Sequence, residues 1–228
     1  QAQYLSRENR FVLSRLEADL NGPSATVSGA VKGLGGDLEV TAKGAIRDVP
    51  LSKVKDYWPA DWGADAYAWV TTHLADGQVT EAEVDVALKA DGMGGFAIER
   101  VDGAMALSGI TVEYLPPMPK VFEANGTATF DRKRFDITLN GGRSTGLEIR
   151  SGTIALTGLD VIDQYADVDL KIVGPIQDAL RLIDHEPFSF ASAIGIDPAV
   201  TGGSLSARLK LYFIVEKTVT RDQVKVQA

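Results

Sequence analysis

The sequence predicts a mainly β fold of the α+β class, a curved antiparallel β-meander or β-groove with short inserted helices. Three observations carry that reading. Apolar and polar residues alternate with period two through most of the chain, the pattern of strands with one greasy and one wet face. Glycine is abundant, at 23 residues, and favours turns, bulges and bent strands over long helices. Departures to helical spacing are few and short.

The first strand places Val12, Leu16, Ala18 and Leu20 against Arg15, Glu17 and Asp19, and Asn21-Gly22-Pro23 breaks it. Strands follow at 25–34 and 37–46, joined by Gly35-Gly36. Pro50 to Val54 opens a helical turn that stops at Trp58-Pro59. Over 61–75, Trp62, Ala66, Trp69, Val70, His73 and Leu74 fall on one helical stripe, ended by Asp76-Gly77. Ala82, Val84, Val86 and Leu88 then alternate with Glu81, Glu83 and Asp85, and Gly92-Met93-Gly94-Gly95 reads as a turn. Strands at 96–107 and 110–114 lead to Leu115-Pro116-Pro117-Met118-Pro119, an extended linker and the expected internal boundary.

The second half repeats the theme. Ala128 and Phe130 precede the polar turn Asp131-Arg132-Lys133-Arg134; Phe135, Ile137 and Leu139 follow, and Asn140-Gly141-Gly142 reads as a hairpin turn. Leu147, Ile149, Ile154 and Leu156 extend the sheet, then Val168, Leu170 and Ile172 up to Gly174-Pro175. A helix over 175–184 places Ile176, Ala179, Leu180 and Ile183 on one face, with proline at its start. A second short helix is expected at 187–194. Leu205, Ala207, Leu209, Leu211 and Phe213 form a strand, and a last one lies at 218–226. The organisation is thus two strand sets, 1–115 with a helix around 61–75 and 120–228 with a helix around 175–184, read as one continuous curved sheet.

The net charge of −8 repels phosphate backbones, and no basic run offsets it, so nucleic acid is not expected as a partner. The absence of cysteine excludes disulfides, thiolate metal sites and a cysteine nucleophile. No run of about 18 apolar residues is present to span a membrane. The chain starts at Gln1 rather than Met, which reads as a mature product or an excised piece.

About a dozen strands at roughly 4.8 Å spacing give a sheet on the order of 55 Å wide, while a packed helix covers roughly 10 Å. Two or three short helices cannot cover one whole face. Either the sheet closes on itself as a sandwich core, or it leaves an apolar trough. Bends are expected at Gly29, Gly33, Gly44, Gly94, Gly126 and Gly158. A trough would suit hydrocarbon: each hidden CH₂ is worth about 0.8 kcal/mol, about 12 kcal/mol gross for a sixteen-carbon chain. Alternation assigns Val84, Val86, Phe96, Ile98, Phe130, Ile137, Leu170, Leu209 and Leu211 to such a surface, with core packing as the other reading.

Groups that could do chemistry have plainer readings. His73 lies on or beside the apolar helix stripe, and His185 within Asp184-His185-Glu186 reads as a solvated helix end. Asp160, Asp163, Asp167 and Asp169 lack the loop spacing and late glutamate of a calcium site. Glu81/Glu83 and Asp167/Asp169 read as solvated strand faces rather than glycosidase pairs. There is no Gly-x-Ser-x-Gly elbow and no phosphate loop. No catalytic residue, cofactor or metal is therefore assigned. Trp58, Trp62 and Trp69 surround the first helix; Trp62 and Trp69 are candidates for a lid or an interfacial belt, or else staple the helix to the sheet.

Two stretches resemble a known family. One runs from Val49-Pro50-Leu51 through Tyr57-Trp58-Pro59 to Ala68-Trp69-Val70 and Asp76-Gly77-Gln78-Val79; the other is Gly174-Pro175-Ile176-Gln177-Asp178-Ala179-Leu180-Arg181-Leu182-Ile183-Asp184, followed by Phe190-Ala191 and Gly195-Ile196-Asp197-Pro198. Together they resemble the central region of the AsmA-like proteins of bacterial envelopes, the YhdP type, in the alphaproteobacterial branch. The resemblance implies a periplasmic segment of an inner-membrane-anchored bridge protein. Its β-groove would shelter phospholipid acyl chains between the two membranes. The implied partners are phospholipid, neighbouring segments of a longer chain, and the membrane through an N-terminal anchor outside this sequence. The alternative is a structural module of the envelope without lipid cargo. A third reading, an unrecognised hydrolase, has no motif behind it.

Overall fold

A computed structural model of the chain describes residues 1–90, 95–186 and 188–215, and the backbone alone at 225–227. Gly92, Met93 and Gly94 of the expected turn, Pro187 at the start of the expected second helix, and most of the strand expected at 218–226 lie outside the described residues. The protein is mainly β, an open antiparallel sheet with a few short helices.

The strands are β1 (Ala2–Leu5), β2 (Arg10–Asp19), β3 (Ser24–Lys32), β4 (Glu39–Pro50), β5 (Leu74–Ala75), β6 (Gln78–Ala90) and β7 (Phe96–Val112). They continue as β8 (Val121–Phe130), β9 (Arg134–Ser144), β10 (Leu147–Thr157), β11 (Tyr165–Pro175), β12 (Ser204–Ile214) and β13 (Lys225–Gln227). All but β5 lie side by side in chain order, and β5 pairs with β7. The helices are α1 (Val54–Tyr57), α2 (Ala64–His73), α3 (Ile176–Asp184) and α4 (Phe190–Ala193).

The chain forms two compact units. The first holds 1–49, 79–106 and 129–132; the second holds 50–78, 107–128 and 133–228. The division does not fall at 115–119, where the proline run suggests a linker. That segment is a tight connection between β7 and β8: Met118 is buried, and its N–H donates to the Leu115 carbonyl at 2.7 Å.

Two other expectations are corrected. Asn140-Gly141-Gly142 lies inside β9 rather than in a turn, and the chain reverses at Thr145 (φ 46°) and Gly146 (φ 81°). Positive φ at both positions is what a two-residue hairpin turn requires. At Gly142 the missing side chain serves packing, since a Cβ there would lie 3.3 Å from Val121 Cγ1 and 3.6 Å from Ile149 Cδ1. In β2 the register shifts between Leu13 and Leu16, so simple alternation fails across Ser14 and Arg15. Of the expected bends, Gly33 and Gly158 sit in turns with positive φ, while Gly29, Gly44 and Gly126 lie within strands.

The well-buried core belongs to the second unit. Leu147, Ile149 and Ile172 pack with Val121, Leu139, Leu170, Leu205 and Ala207, and α3 lays Ala179 and Leu182 on them. Proline sits immediately before α3, where a missing N–H costs nothing. The Asp184 carboxylate, at the end of α3, clasps the start of α4. It accepts from Ser192 N–H at 2.7 Å and Ser192 Oγ at 2.5 Å, and these bonds hold its pKa below the ordinary range. The first unit contains no α-helix, and Pro23 and Val49 are the only buried side chains among its described residues.

Candidate functional site

Directly opposed residues of an antiparallel pair share a face, so the registers sort each unit's side chains. In the first unit, Tyr4 faces Phe11, Phe11 faces Val31, and Val31 faces Val40, making one apolar row across four strands. Leu16 faces Val27 and Val27 faces Gly44 in a second row; a Cβ on Gly44 would lie 3.5 Å from Val84 Cγ1. Val84 and Val86 therefore continue this face on β6. Tyr4 is 52% exposed and Leu16 is 56% exposed, and Phe11 and Val27 are exposed as well.

The opposite face of this unit is ionic. Lys43 Nζ lies 3.0 Å from Asp85, Arg47 pairs with Glu81, and Lys89 lies 3.8 Å from Glu39. Arg100 reaches Asp85 at 2.7 Å and Asp102 at 3.5 Å. The acids and bases named here pair with one another at the surface, and Glu81 is held by Arg47. The hydrogen bond to Glu81 also pushes the Arg47 pKa up.

Asp85 fixes the sides on β7. Arg100 and Asp102 lie with Asp85, so Val101 and Gly103 lie with Val84 and Val86. A Cβ on Gly103 would fall 2.2 Å from the Phe130 ring, so that ring lies over the glycine on the apolar side. Phe96 and Ile98 share the parity of Arg100, and both are exposed. They are thus separated from Val84, Val86 and Phe130, with which alternation alone groups them. Val101 is the better choice, and the signal for it is the Arg100/Asp102 pair read against Asp85.

The second unit has its own apolar face. Ile137 faces Ile154, Ile154 faces Val168, and Val168 faces Leu211 in a row across β9 to β12. A parallel row runs Leu139, Gly152, Leu170, Leu209. Leu170 leans into the space left by Gly152, where a Cβ would meet Leu170 Cδ2 at 2.4 Å. Ile137, Leu170, Leu209 and Leu211 are brought together as expected from alternation, and all four are half-buried. Helix α3 covers only the end of this face around Leu147, Ile149 and Ile172.

The reverse side of β11 and β12 is polar. Asp169 is held by Arg208 and lies 3.9 Å from Lys210, and the Arg208 hydrogen bond lowers the Asp169 pKa. Tyr165 stacks on Tyr212 with ring centroids 5.7 Å apart. A shallow, open depression at the β9–β10 hairpin is lined by Phe122, Arg143, Ser144, Thr145, Gly146, Leu147 and Glu148.

Around α2 the inward side is Tyr67, Val70, Thr71 and Leu74, not the stripe through Trp62, Ala66 and Trp69. Trp58 meets Tyr67 edge-on at 5.9 Å and donates its indole N–H to the Trp62 carbonyl at 2.7 Å. Trp58 is thus the staple. Trp62 is 72% exposed, Trp69 is exposed and stacks obliquely on His73 at 5.6 Å, and neither indole is sheltered in the way a closed lid would be. His73 Nδ1 is buried without a hydrogen-bond partner. His185 Nδ1 sits 3.1 Å from the Glu186 carbonyl. Among the described residues, no three carboxylate or imidazole side chains converge as a metal ion would need.

What the arrangement can do chemically is exclude water from something laid against it. The apolar rows carry no charged group, and the Tyr4 hydroxyl is their one polar side-chain group. Sequence reading does not group Tyr4, Phe11, Leu16 and Val27 as one exposed set, and the register shift in β2 is what brings Phe11 to the side of Leu16. No protein-family model matches the chain, and no curated protein or solved structure matches it.

Proposed function

We propose that this chain is a lipid-binding or lipid-transfer segment whose sheet shelters acyl chains by passive contact. The observation behind the proposal is that Tyr4, Phe11, Leu16 and Val27 lie on one apolar face and are exposed there, in a unit that has no α-helix among its described residues. Burial of such a face against hydrocarbon gains about 25 cal/mol per Å² removed from water. The resemblance to AsmA-like proteins of the YhdP type gives the reading its setting. The segment would belong to a periplasmic bridge anchored in the inner membrane and carrying phospholipid toward the outer membrane. It acts without cofactor, metal or catalytic residue.

The test is native mass spectrometry of the purified chain after incubation with phosphatidylcholine vesicles. The expected result is phospholipid mass retained on the protein, and reduced retention in Val27→Glu. A chain that stays monomeric and lipid-free overturns the reading.

A structural role is the second reading, favoured by one feature. The edge strand β1, Ala2–Leu5, has no charge, proline or bulge, the usual guards of an open edge. Concentration-dependent association without lipid would support it.

A further inference from the structure

We infer that the chain carries two independent hydrocarbon sites, one within each compact unit; this rests on the lipid-binding reading. Each unit builds its apolar rows from its own residues. In the first, the row Tyr4–Phe11–Val31–Val40 belongs wholly to 1–49. In the second, the row Ile137–Ile154–Val168–Leu211 belongs wholly to 133–228.

The size of each surface selects its occupant. In the second unit, three strand spacings by four residues along a strand give about 14 by 13 Å, about 190 Å². In the first, β1 to β4 and β6 by the same length give about 19 by 13 Å, about 250 Å². A stable protein interface needs about 800 Å² per partner. Neither surface reaches that alone, so a second copy of the chain or another protein face is a poor fit. A hydrocarbon tail needs only a narrow apolar strip and makes no directional demand. The strips also differ in their walls: α3 closes one end of the second, with Leu147 2% exposed beneath it, whereas the first unit has no α-helix among its described residues.

The experiment counts lipids. The full chain is saturated from palmitoyl-oleoyl phosphatidylcholine vesicles and weighed by native mass spectrometry, alongside Val27→Glu, Leu211→Gln and the double variant. Two lipids per chain are expected for the unaltered protein, one for each single variant and none for the double. A retained lipid reports that the variant has folded; if Leu211→Gln fails to fold, Ile137→Thr, a residue suited to strands, replaces it. Saturation at one lipid overturns the two-site inference and leaves the lipid-binding reading standing. So does loss of both lipids in a single variant that keeps its strand circular dichroism. No lipid on the unaltered chain, or dimers in its place, overturns both.

Discussion

Arg208 grips Asp169 with both arms of its guanidinium, Nε to Oδ1 at 2.7 Å and Nη2 to Oδ2 at 2.6 Å. The pair spans β11 and β12 diagonally, since Lys171 stands directly opposite Arg208 and Lys210 opposite Asp169. Such a fork needs the planar geometry of arginine, which lysine lacks.

Arg208→Lys should therefore raise the Asp169 pKa toward the ordinary carboxylate value, read by the carboxyl carbon shift against pH. The lowered folded value means that the pair contributes stability above the unfolded pKa and loses it as pH falls through the folded one. The groups are at the surface, so the melting temperature should move by less than about 4 °C.

Tyr114 carries the opposite sign. Although 42% of the residue is exposed, the protein around its phenol is desolvating and pushes the pKa up to about 12. The folded state holds the proton longer than the unfolded chain, so its share of stability is present below about pH 10 and lost toward pH 12. Phenolate absorbance should show a late-ionising group that Tyr114→Phe removes. Persistence of that late phase in the variant would refute the assignment.

Core and candidate surface should respond differently to the same truncation. Leu147→Ala empties a site that is 2% exposed and should cost about 2–5 kcal/mol in denaturant unfolding. Leu16→Ala removes a side chain that is 56% exposed and should stay within about 0.5 kcal/mol. Equal losses would mean that the first unit's face is covered.

Gly103→Ala forces a methyl group against the Phe130 ring and to within 2.7 Å of the Glu83 carbonyl oxygen. Overpacking of this kind typically costs about 1–3 kcal/mol. In a double-mutant cycle with Phe130→Ala, the combined loss should fall short of the sum, because one clash disappears. Full additivity would place the ring elsewhere.

Much of this architecture is legible in the order of the residues. Alternation locates the strands on which Val84, Ile137, Leu170 and Leu211 sit, and the Pro175 start locates α3. It fails where backbone geometry breaks the period. The β2 bulge puts Phe11 on the side of Leu16, where simple alternation puts Val12. Phe96 and Ile98 take the wrong side because alternation ranks residues by greasiness and says nothing of which face a strand turns to its neighbour. Only the partner strand reveals that, through Asp85 and Arg100. The Thr145-Gly146 turn is hidden behind Asn140-Gly141, the commoner hairpin signature, although the glycines there make room for Val121 and Ile149.

The first unit draws on three separated stretches, the last of them 129–132. During synthesis it therefore stays incomplete until residue 132 has left the ribosome, for until then Phe130 is not there to settle over Gly103. A nascent chain halted at residue 115 would hold the strands of that unit but not its final piece. Any chaperone that guards this protein would have to stay bound through that interval.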